Sequence, residues 1–229
     1  PFFIHCQKCR WFQCWPTLLT RPALLSAKAA AQMSSRLLPS YFDPASSVTS
    51  RAEMNARGRL IGACARHIGL PVKRLLDAGC GVGLLRAPLR RALPEATYTG
   101  IEVSAYLCRR YGWTQSTIED YHPARPFDLV VCYDVLQYLD DRRAARSLAN
   151  LARLCRGLLH FSALTAADWR GNCDQGRTDR DVHLRRGEWY RTRLRRNFRE
   201  IGAGFWRRST APLSLWELES VSRCRRQAV

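Results

Sequence analysis

A short glycine run is the feature of this 229-residue sequence that most clearly suggests chemistry. It spans Asp77–Gly83 and reads Asp-Ala-Gly-Cys-Gly-Val-Gly. Gly79 and Gly81 allow a tight turn and a close approach to a ligand, because no Cβ stands in the way. Gly83 is expected to open a helix whose free N–H groups favour an anionic group such as a carboxylate. A tight turn without a ligand also fits these glycines, so the run alone indicates only a nucleotide-sized ligand.

An acidic residue at the end of the next apolar segment adds to this signal. Glu102 follows Gly83 by 19 residues. A carboxylate at that place accepts hydrogen bonds from both ribose hydroxyls of a nucleoside. A solvated Glu at a strand end is the alternative, and the spacing from the glycines favours ribose binding.

A nicotinamide-dependent dehydrogenase has similar glycines, in the pattern Gly-x-Gly-x-x-Gly. Here Gly83 comes one residue too early for that pattern, and Leu84 occupies the position of its third glycine. The sequence therefore favours a different nucleotide-binding class.

Apolar segments alternate with helical periodicity along the chain and predict the elements that position these residues. Strands are predicted at Val72–Asp77, Thr97–Val103, Trp113–Ile118, Phe127–Cys132 and Leu158–Ser162. Helices are predicted at Arg51–Ile68, Leu84–Leu93, Ala105–Tyr111, after the capping residue Asp140 or Asp141, and at Trp189–Phe198. Glu200–Arg207 and Leu213–Ser220 are predicted to form a terminal antiparallel pair. The pattern is typical of an α/β fold with a doubly wound, mostly parallel seven-stranded sheet and helices on both faces.

Three segments together resemble the class I S-adenosylmethionine-dependent methyltransferases over about residues 72–162. Asp77–Gly83 is similar to the family's first motif, and Gly100-Ile101-Glu102 is similar to its ribose-binding motif. Phe127–Leu139 is similar to its fourth-strand segment. The resemblance implies a Rossmann-like domain with S-adenosyl-L-methionine as cofactor. The cofactor contacts it implies are Asp77, Gly79, Cys80, Gly81, Gly83, Glu102, Val103, Thr117, Ile118 and Tyr133.

The third strand departs from the family pattern, which often ends in Asp to bind the adenine amino group. The aligned place holds Ser116-Thr117. Thr117 or the backbone at Ile118 would then contact adenine, and Glu119 or Asp120 would substitute if the strand ended later.

The resemblance further implies methyl transfer by in-line displacement at the sulfonium methyl, where the protein mainly aligns the reactants and excludes water. Tyr133 is a candidate for cation–π attraction to the sulfonium, or else a packing residue on the sheet top. His160 ends the fifth predicted strand and is a weak candidate base, with a structural role as the alternative. His183, Asp174 and Tyr190 lie in the polar segment where an acceptor would bind, without forming a triad or a metal cluster.

The acceptor is not specified by any motif. A small molecule is favoured, because no further binding module accompanies the core. The run 185–199 holds seven Arg, which form a solvated basic face or a site for phosphate or RNA. A methyltransferase acting on tRNA or rRNA is therefore one alternative, and a non-catalytic domain that binds the cofactor is another.

Composition adds weak constraints. The chain holds 37 basic and 19 acidic residues, and since only three of the basic residues are Lys, the charge reflects biased Arg usage more than a partner. The ten cysteines are scattered, which favours reduced thiols over a disulfide scaffold and suggests a cytoplasmic protein. The sequence contains no run of eighteen apolar residues, so no transmembrane helix is predicted.

The first 42 residues contain no acidic side chain and are expected to form a poorly structured extension before a domain at 43–222 and a tail at 223–229. Translated upstream sequence before a true start near Met33 is one explanation, and an organellar transit peptide is a second. The third is a small zinc site built from His5, Cys6, Cys9 and Cys14. No second cysteine pair follows at zinc-finger spacing, so no metal site is predicted.

Overall fold

Seven strands form one sheet in the computed structural model of this chain, which describes residues 51–173, 175 and 180–221. In spatial order they are β3-β2-β1-β4-β5-β7-β6. The strand bounds are β1 Arg74–Ala78, β2 Thr97–Glu102, β3 Thr114–Gln115, β4 Phe127–Tyr133, β5 Cys155–Ser162, β6 Phe198–Gly202 and β7 Phe205–Arg208. The first five are parallel and the last two antiparallel, so the predicted α/β sheet with a terminal antiparallel pair is confirmed.

The central strand β4 explains why the sheet is parallel. Every residue of Phe127–Cys132 is buried, as its strongly apolar character predicts for a strand covered on both faces. It pairs with β1 on one side and with β5 on the other. Parallel pairing brings the carboxyl ends of β1, β2, β4 and β5 to one edge, where ligands of open α/β sheets bind.

Helices cover both faces of this sheet. Their bounds are α1 Arg51–His67, α2 Arg86–Ala92, α3 Ala105–Tyr111, α4 Asp141–Leu154, α5 Ala166–Gly171 and α6 Gly187–Leu194. On one face α1 and α2 bury Met54, Ile61 and Leu89 against Leu129 and Val131 of β4. On the other face α4 and α6 pack against the side chains of β4 and β5 that point the opposite way.

The antiparallel pair forms differently from the prediction. Both strands come from the region predicted as the single strand Glu200–Arg207, and Leu213–Ser220 carries only a short 3-10 helix at Glu217–Glu219. The cause is the turn between the strands, where Ala203 and Gly204 have φ values of 49° and 82°. That left-handed backbone reverses the chain inside the predicted strand.

Several other predicted boundaries also shift. The helix predicted at Leu84–Leu93 spans Arg86–Ala92, with Leu84 and Leu85 in the turn before it. The strand predicted at Trp113–Ile118 shrinks to Thr114–Gln115. The helix predicted at Trp189–Phe198 spans Gly187–Leu194.

The predicted 1–42 extension, Met33, the zinc candidates near the start, Asp174 and the tail at 223–229 lie outside the described residues. The proposed bounds of the domain therefore stay a prediction. Within the described residues, no helix is both long and apolar enough to cross a membrane.

Candidate functional site

The glycine run forms a left-handed turn at the carboxyl end of β1. Gly79, Gly81 and Gly83 have φ values of 81°, 52° and 75°. A side chain at Gly79 would meet Val135, since a Cβ there would lie 2.6 Å from a Val135 methyl carbon. A Cβ at Gly81 would meet no atom within 4 Å. The turn therefore exposes its backbone to open space at Gly81, the position where the sequence predicts close approach of a ligand.

Glu102 lies directly beside this turn. One carboxylate oxygen accepts a hydrogen bond from the Gly81 N–H at 3.0 Å, and the other accepts from the N–H groups of Val103 and Ser104 at 2.8 and 3.0 Å. These backbone donors fix the carboxylate at the end of β2. A carboxylate has about four lone-pair sites and three are used, so the oxygen that accepts from Gly81 retains capacity for a ribose hydroxyl. Glycine turn and carboxylate thus fit the nucleoside part of the predicted cofactor.

Asp77 occupies the end of β1 beneath the turn. It is 3% exposed and accepts a hydrogen bond from the Tyr98 hydroxyl at 2.6 Å. Burial raises the pKa of Asp77 to about 6, although the Tyr98 hydrogen bond opposes the shift. Asp77 therefore supports the turn from below, and a direct contact with cofactor stays a prediction.

The two acidic residues proposed as adenine ligands are engaged elsewhere. The buried Glu119 carboxylate pairs with Arg143 at 2.7 Å and accepts from the Ser147 hydroxyl, so it faces α4. Asp120 pairs with Arg146 and accepts from the Thr117 hydroxyl at 2.9 Å. Thr117 and the buried Ile118 lie just beyond β3, and their contact with adenine stays a prediction.

The carboxyl ends of β4 and β5 carry a polar network that includes both candidate catalytic residues. Arg57, on α1, donates to the Tyr133 hydroxyl at 3.1 Å and lies 3.0 Å from His160 Nε2. The guanidinium also stacks 3.8 Å from the centre of the Tyr133 ring. A cation thus covers one face of Tyr133, which disfavours a sulfonium at that face.

The surroundings of His160 favour a structural role. It is 1% exposed, and burial together with Arg57 lowers its pKa to about 3. Because a guanidinium only donates, Nε2 accepts and the proton lies on Nδ1. Nδ1 has no hydrogen-bond partner among the described residues. A neutral imidazole whose basic nitrogen is already used is poorly suited to proton transfer.

Asp134 is a residue of this edge that the sequence analysis did not select. It follows β4 directly and has a left-handed φ of 55°, rare for a non-glycine residue. Its carboxyl group accepts from the hydroxyls of Tyr133 and Ser162, and burial raises its pKa to about 6. Strained backbone and a shifted pKa concentrate at functional sites. The sequence signal that could have identified Asp134 is an acidic residue directly after the apolar strand.

The Arg run 185–199 is not one solvated face. Arg185 is buried, donates to the Tyr190 hydroxyl and pairs with Asp141 at 2.7 Å. Arg191 and Arg195 pair with Glu200, and Arg193 stacks over Trp189. Four of the seven guanidinium groups therefore have partners within the chain. His183 is exposed beside the site edge, where its N–H donates to the Gln137 carbonyl.

Comparison with known proteins agrees with this geometry. Residues 76–157 match the family model described as a methyltransferase domain. Over 120 residues the chain is 32% identical to the malonyl-[acyl-carrier protein] O-methyltransferase of Magnetococcus marinus, covering 44% of this chain and 43% of that protein. Over 114 residues it is 32% identical to the ubiquinone biosynthesis O-methyltransferase of Aromatoleum aromaticum, covering 43% of this chain and 47% of that protein. The chain thus spans less than half the length of these curated relatives.

Solved structures share the fold at low sequence identity. The magnesium protoporphyrin IX methyltransferase of Synechocystis superposes with a TM-score of 0.52 at 19% identity, over 69% of this chain and 79% of that one. DesVI of Streptomyces venezuelae gives a TM-score of 0.51 at 17% identity, over 68% of this chain and 91% of that one. The matched domain and the motif geometry agree with the resemblance of residues 76–157 to the class I S-adenosylmethionine-dependent methyltransferases.

Proposed function

We propose that this protein transfers a methyl group from S-adenosyl-L-methionine to a small-molecule acceptor. One observation carries the proposal: Gly81 presents open backbone beside the Glu102 carboxylate, which accepts hydrogen bonds from three backbone N–H groups. This arrangement suits a nucleoside with a ribose hydroxyl that donates to Glu102 and with its remainder across the turn. The family match and the curated relatives, which are named as O-methyltransferases, support it.

The chain's own residues account for binding and alignment. Glu102 would hold the ribose, and the turn from Gly79 to Gly83 would receive the rest of the cofactor without side-chain interference. When bound, S-adenosyl-L-methionine supplies a methyl group that its sulfonium activates. The acceptor attacks this methyl group in line. Alignment and exclusion of water are then the main contributions that the protein makes to the rate.

Asp134 is the group best placed to take a proton from an acceptor. It lies at the carboxyl end of β4, and its raised pKa of about 6 keeps a carboxylate basic enough to act near neutral pH. His160 and Tyr133 instead belong to the network that holds Arg57.

A small-molecule acceptor is favoured over RNA. Four of the seven Arg side chains in 185–199 pair with carboxylates or stack on an aromatic ring of this chain. This disfavours the run as a phosphate-binding face. The matched relatives are named for malonyl-[acyl-carrier protein], ubiquinone biosynthesis and trans-aconitate.

A matched pair of glycine substitutions tests the cofactor site. Gly81→Arg fills the open side of the turn, whereas Gly69→Arg has a similar left-handed φ, 66° against 52°, and equally open surroundings after α1. We expect Gly81→Arg to weaken binding of S-adenosylhomocysteine at least about 100-fold, because the Arg side chain occupies the space proposed for the ligand. Gly69→Arg is expected to bind like the wild type.

Equal affinities of both variants would contradict the proposed site. Thermal unfolding of each variant serves as the control, because both introduce the same side chain at a left-handed position. Binding by equilibrium dialysis with labelled S-adenosylmethionine gives an independent measurement.

A further inference from the structure

Trp113 contacts the glycine turn, although a Cβ added at Gly81 would meet no atom of its side chain within 4 Å. It follows Gly112, whose φ of 74° ends α3 and turns the chain back toward the sheet. Its side chain is buried in a small cluster with Leu107 and Cys108, and Cys80 and Val82 of the turn pack against that cluster. The indole therefore forms a floor beneath the residues that face the proposed cofactor.

A hydrogen bond joins this floor to the turn. The indole Nε1–H of Trp113 donates to the Gly81 carbonyl oxygen at 2.9 Å. The backbone N–H of Gly81 donates to the Glu102 carboxylate at 3.0 Å. Gly81 is thus held at both of its backbone polar groups, by Glu102 at the end of β2 and by Trp113 directly before β3.

The ring also determines which residues fit around it. A Cβ at Gly83 would lie 2.5 Å from the indole carbon Cζ2, and a Cβ at Gly100 would lie 2.8 Å from Cε3. Such distances are far inside van der Waals contact, so either side chain would displace the indole. The third glycine of the run is therefore required by Trp113 as well as by its left-handed φ.

Neighbouring aromatic side chains keep the indole in place. The Tyr111 ring stacks on it at 6.0 Å with an interplanar angle of 28°, and the Tyr98 ring lies at 6.0 Å with an angle of 50°. Tyr98 in turn donates to Asp77 at 2.6 Å. The first residue of the glycine motif and its central glycine are thus linked through one aromatic cluster.

We propose that Trp113 is a positioning residue of the cofactor site, whose indole holds the turn from Gly81 to Gly83 in the conformation that receives the nucleoside. This inference rests on the proposed function, since it concerns the same cofactor. It predicts that the indole N–H contributes to affinity although it donates to the Gly81 carbonyl oxygen. Preorganisation of this kind reduces the ordering cost of binding.

Trp113→Phe tests the hydrogen bond, because it keeps an aromatic floor and removes the N–H. We expect binding of S-adenosylhomocysteine, measured by calorimetry, to weaken about fivefold to tenfold, as for one lost hydrogen bond. Trp206→Phe is the matched control, since Trp206 is a buried Trp of β7 outside the turn. It is expected to lower the melting temperature at least as much while leaving the affinity unchanged. Wild-type affinity in Trp113→Phe would overturn the inference.

Gly83→Ala tests the same contact from the other side in a double-mutant cycle, and its comparison with Gly69→Ala alone serves if Trp113→Phe folds poorly. Gly69→Ala, at a similar φ but in open space, controls for backbone strain. We expect Gly83→Ala to weaken S-adenosylhomocysteine binding more than Gly69→Ala, and to do so less in the Trp113→Phe background. Additive effects would overturn the contact. A wild type that binds no S-adenosylhomocysteine would instead contradict the proposed function itself.

Discussion

Two neighbouring parts of one sheet edge are built in different ways. At the ends of β1 and β2 the structure is made mainly by backbone groups, with three left-handed glycines in a turn that bonds to the Glu102 carboxylate and the Trp113 indole. At the ends of β4 and β5 it is made by side chains, and Arg57 reaches Tyr133 and His160 across 76 and 103 positions of sequence. The first part is specified locally and suits a fixed ligand, whereas the second depends on how distant elements pack.

With the proposed function, this difference suggests a division of labour between a cofactor site and an acceptor site. A site made of backbone tolerates variation elsewhere, so it serves a common cofactor. A site made of side chains from α1, β4 and β5 changes with each substitution, so it suits the variable acceptor. Substitutions that affect affinity at one end and stability at the other would support this division.

The largest effect is expected at Glu102. Replacement by Ala removes the acceptor of the N–H groups of Gly81, Val103 and Ser104 together with the proposed ribose contact. Affinity for S-adenosylhomocysteine should fall at least about 100-fold, since hydrogen bonds to a charged acceptor are the stronger class. Calorimetry measures this, and Glu95→Ala, at an exposed Glu paired with Lys73, is the control. Equal losses in both variants would contradict a specific role for Glu102.

The next effect concerns the pH dependence of stability at Asp77. Its pKa of about 6 in the folded protein exceeds the unfolded value, so the native state binds more protons between about pH 4 and pH 6. Stability therefore falls as pH rises through this window, by about 2 to 3 kcal/mol for a shift of this size. Asp77→Asn lacks this loss, so urea unfolding at pH 4 and pH 7 should show the wild type losing stability relative to the variant.

Asp134 offers the same measurement at the other end of the edge, because its pKa is also about 6. The same direction is expected for Asp134→Asn. A wild type that gains stability relative to either variant as pH rises would show that the carboxyl group is not buried as described.

A smaller effect is expected at Arg57. Arg57→Ala leaves the Tyr133 hydroxyl and the buried His160 ring without this donor. Lost partners of buried polar groups cost about 1 to 3 kcal/mol, so the free energy of unfolding should fall by about 2 kcal/mol. Affinity for S-adenosylhomocysteine should stay within about twofold of the wild type, because the proposed cofactor contacts lie at the ends of β1 and β2. Arg59→Ala, at an exposed position of the same helix, is the control.

A larger loss of cofactor affinity in Arg57→Ala would join the two parts into one site. In that case the proposed division between a backbone-built cofactor site and a side-chain network would be wrong.

How much the sequence predicts follows the same division. The mostly parallel sheet could be predicted from the alternation of strands and helices, and the glycine turn and Glu102 from the spacing along one βα unit. The position of the Glu119 side chain could not be predicted. Its carboxylate pairs with Arg143 of α4, and only tertiary packing brings the two residues near each other. Arg185 was assigned to a basic run, yet its burial beside Asp141 and Tyr190 depends on how α6 packs against α4. The hairpin at Ala203-Gly204 was missed because a left-handed Ala has no clear sequence signal.

The smallest effect is expected at Arg191, which pairs with Glu200 at 3.2 Å on the surface. Arg191→Ala should change the free energy of unfolding by less than about 0.5 kcal/mol, as is usual for exposed ion pairs. RNA binding at low salt is expected to be absent in wild type and variant alike. Steep salt-dependent RNA binding that Arg191→Ala weakens would revive the nucleic-acid alternative.

The most direct test of the central claim is calorimetric titration of the wild-type chain with S-adenosylmethionine, S-adenosylhomocysteine and NAD in parallel. The turn from Gly79 to Gly83 beside Glu102 predicts saturable binding of both sulfur nucleosides at one site per chain, and no binding of NAD. Binding of NAD without binding of either sulfur nucleoside would contradict the account.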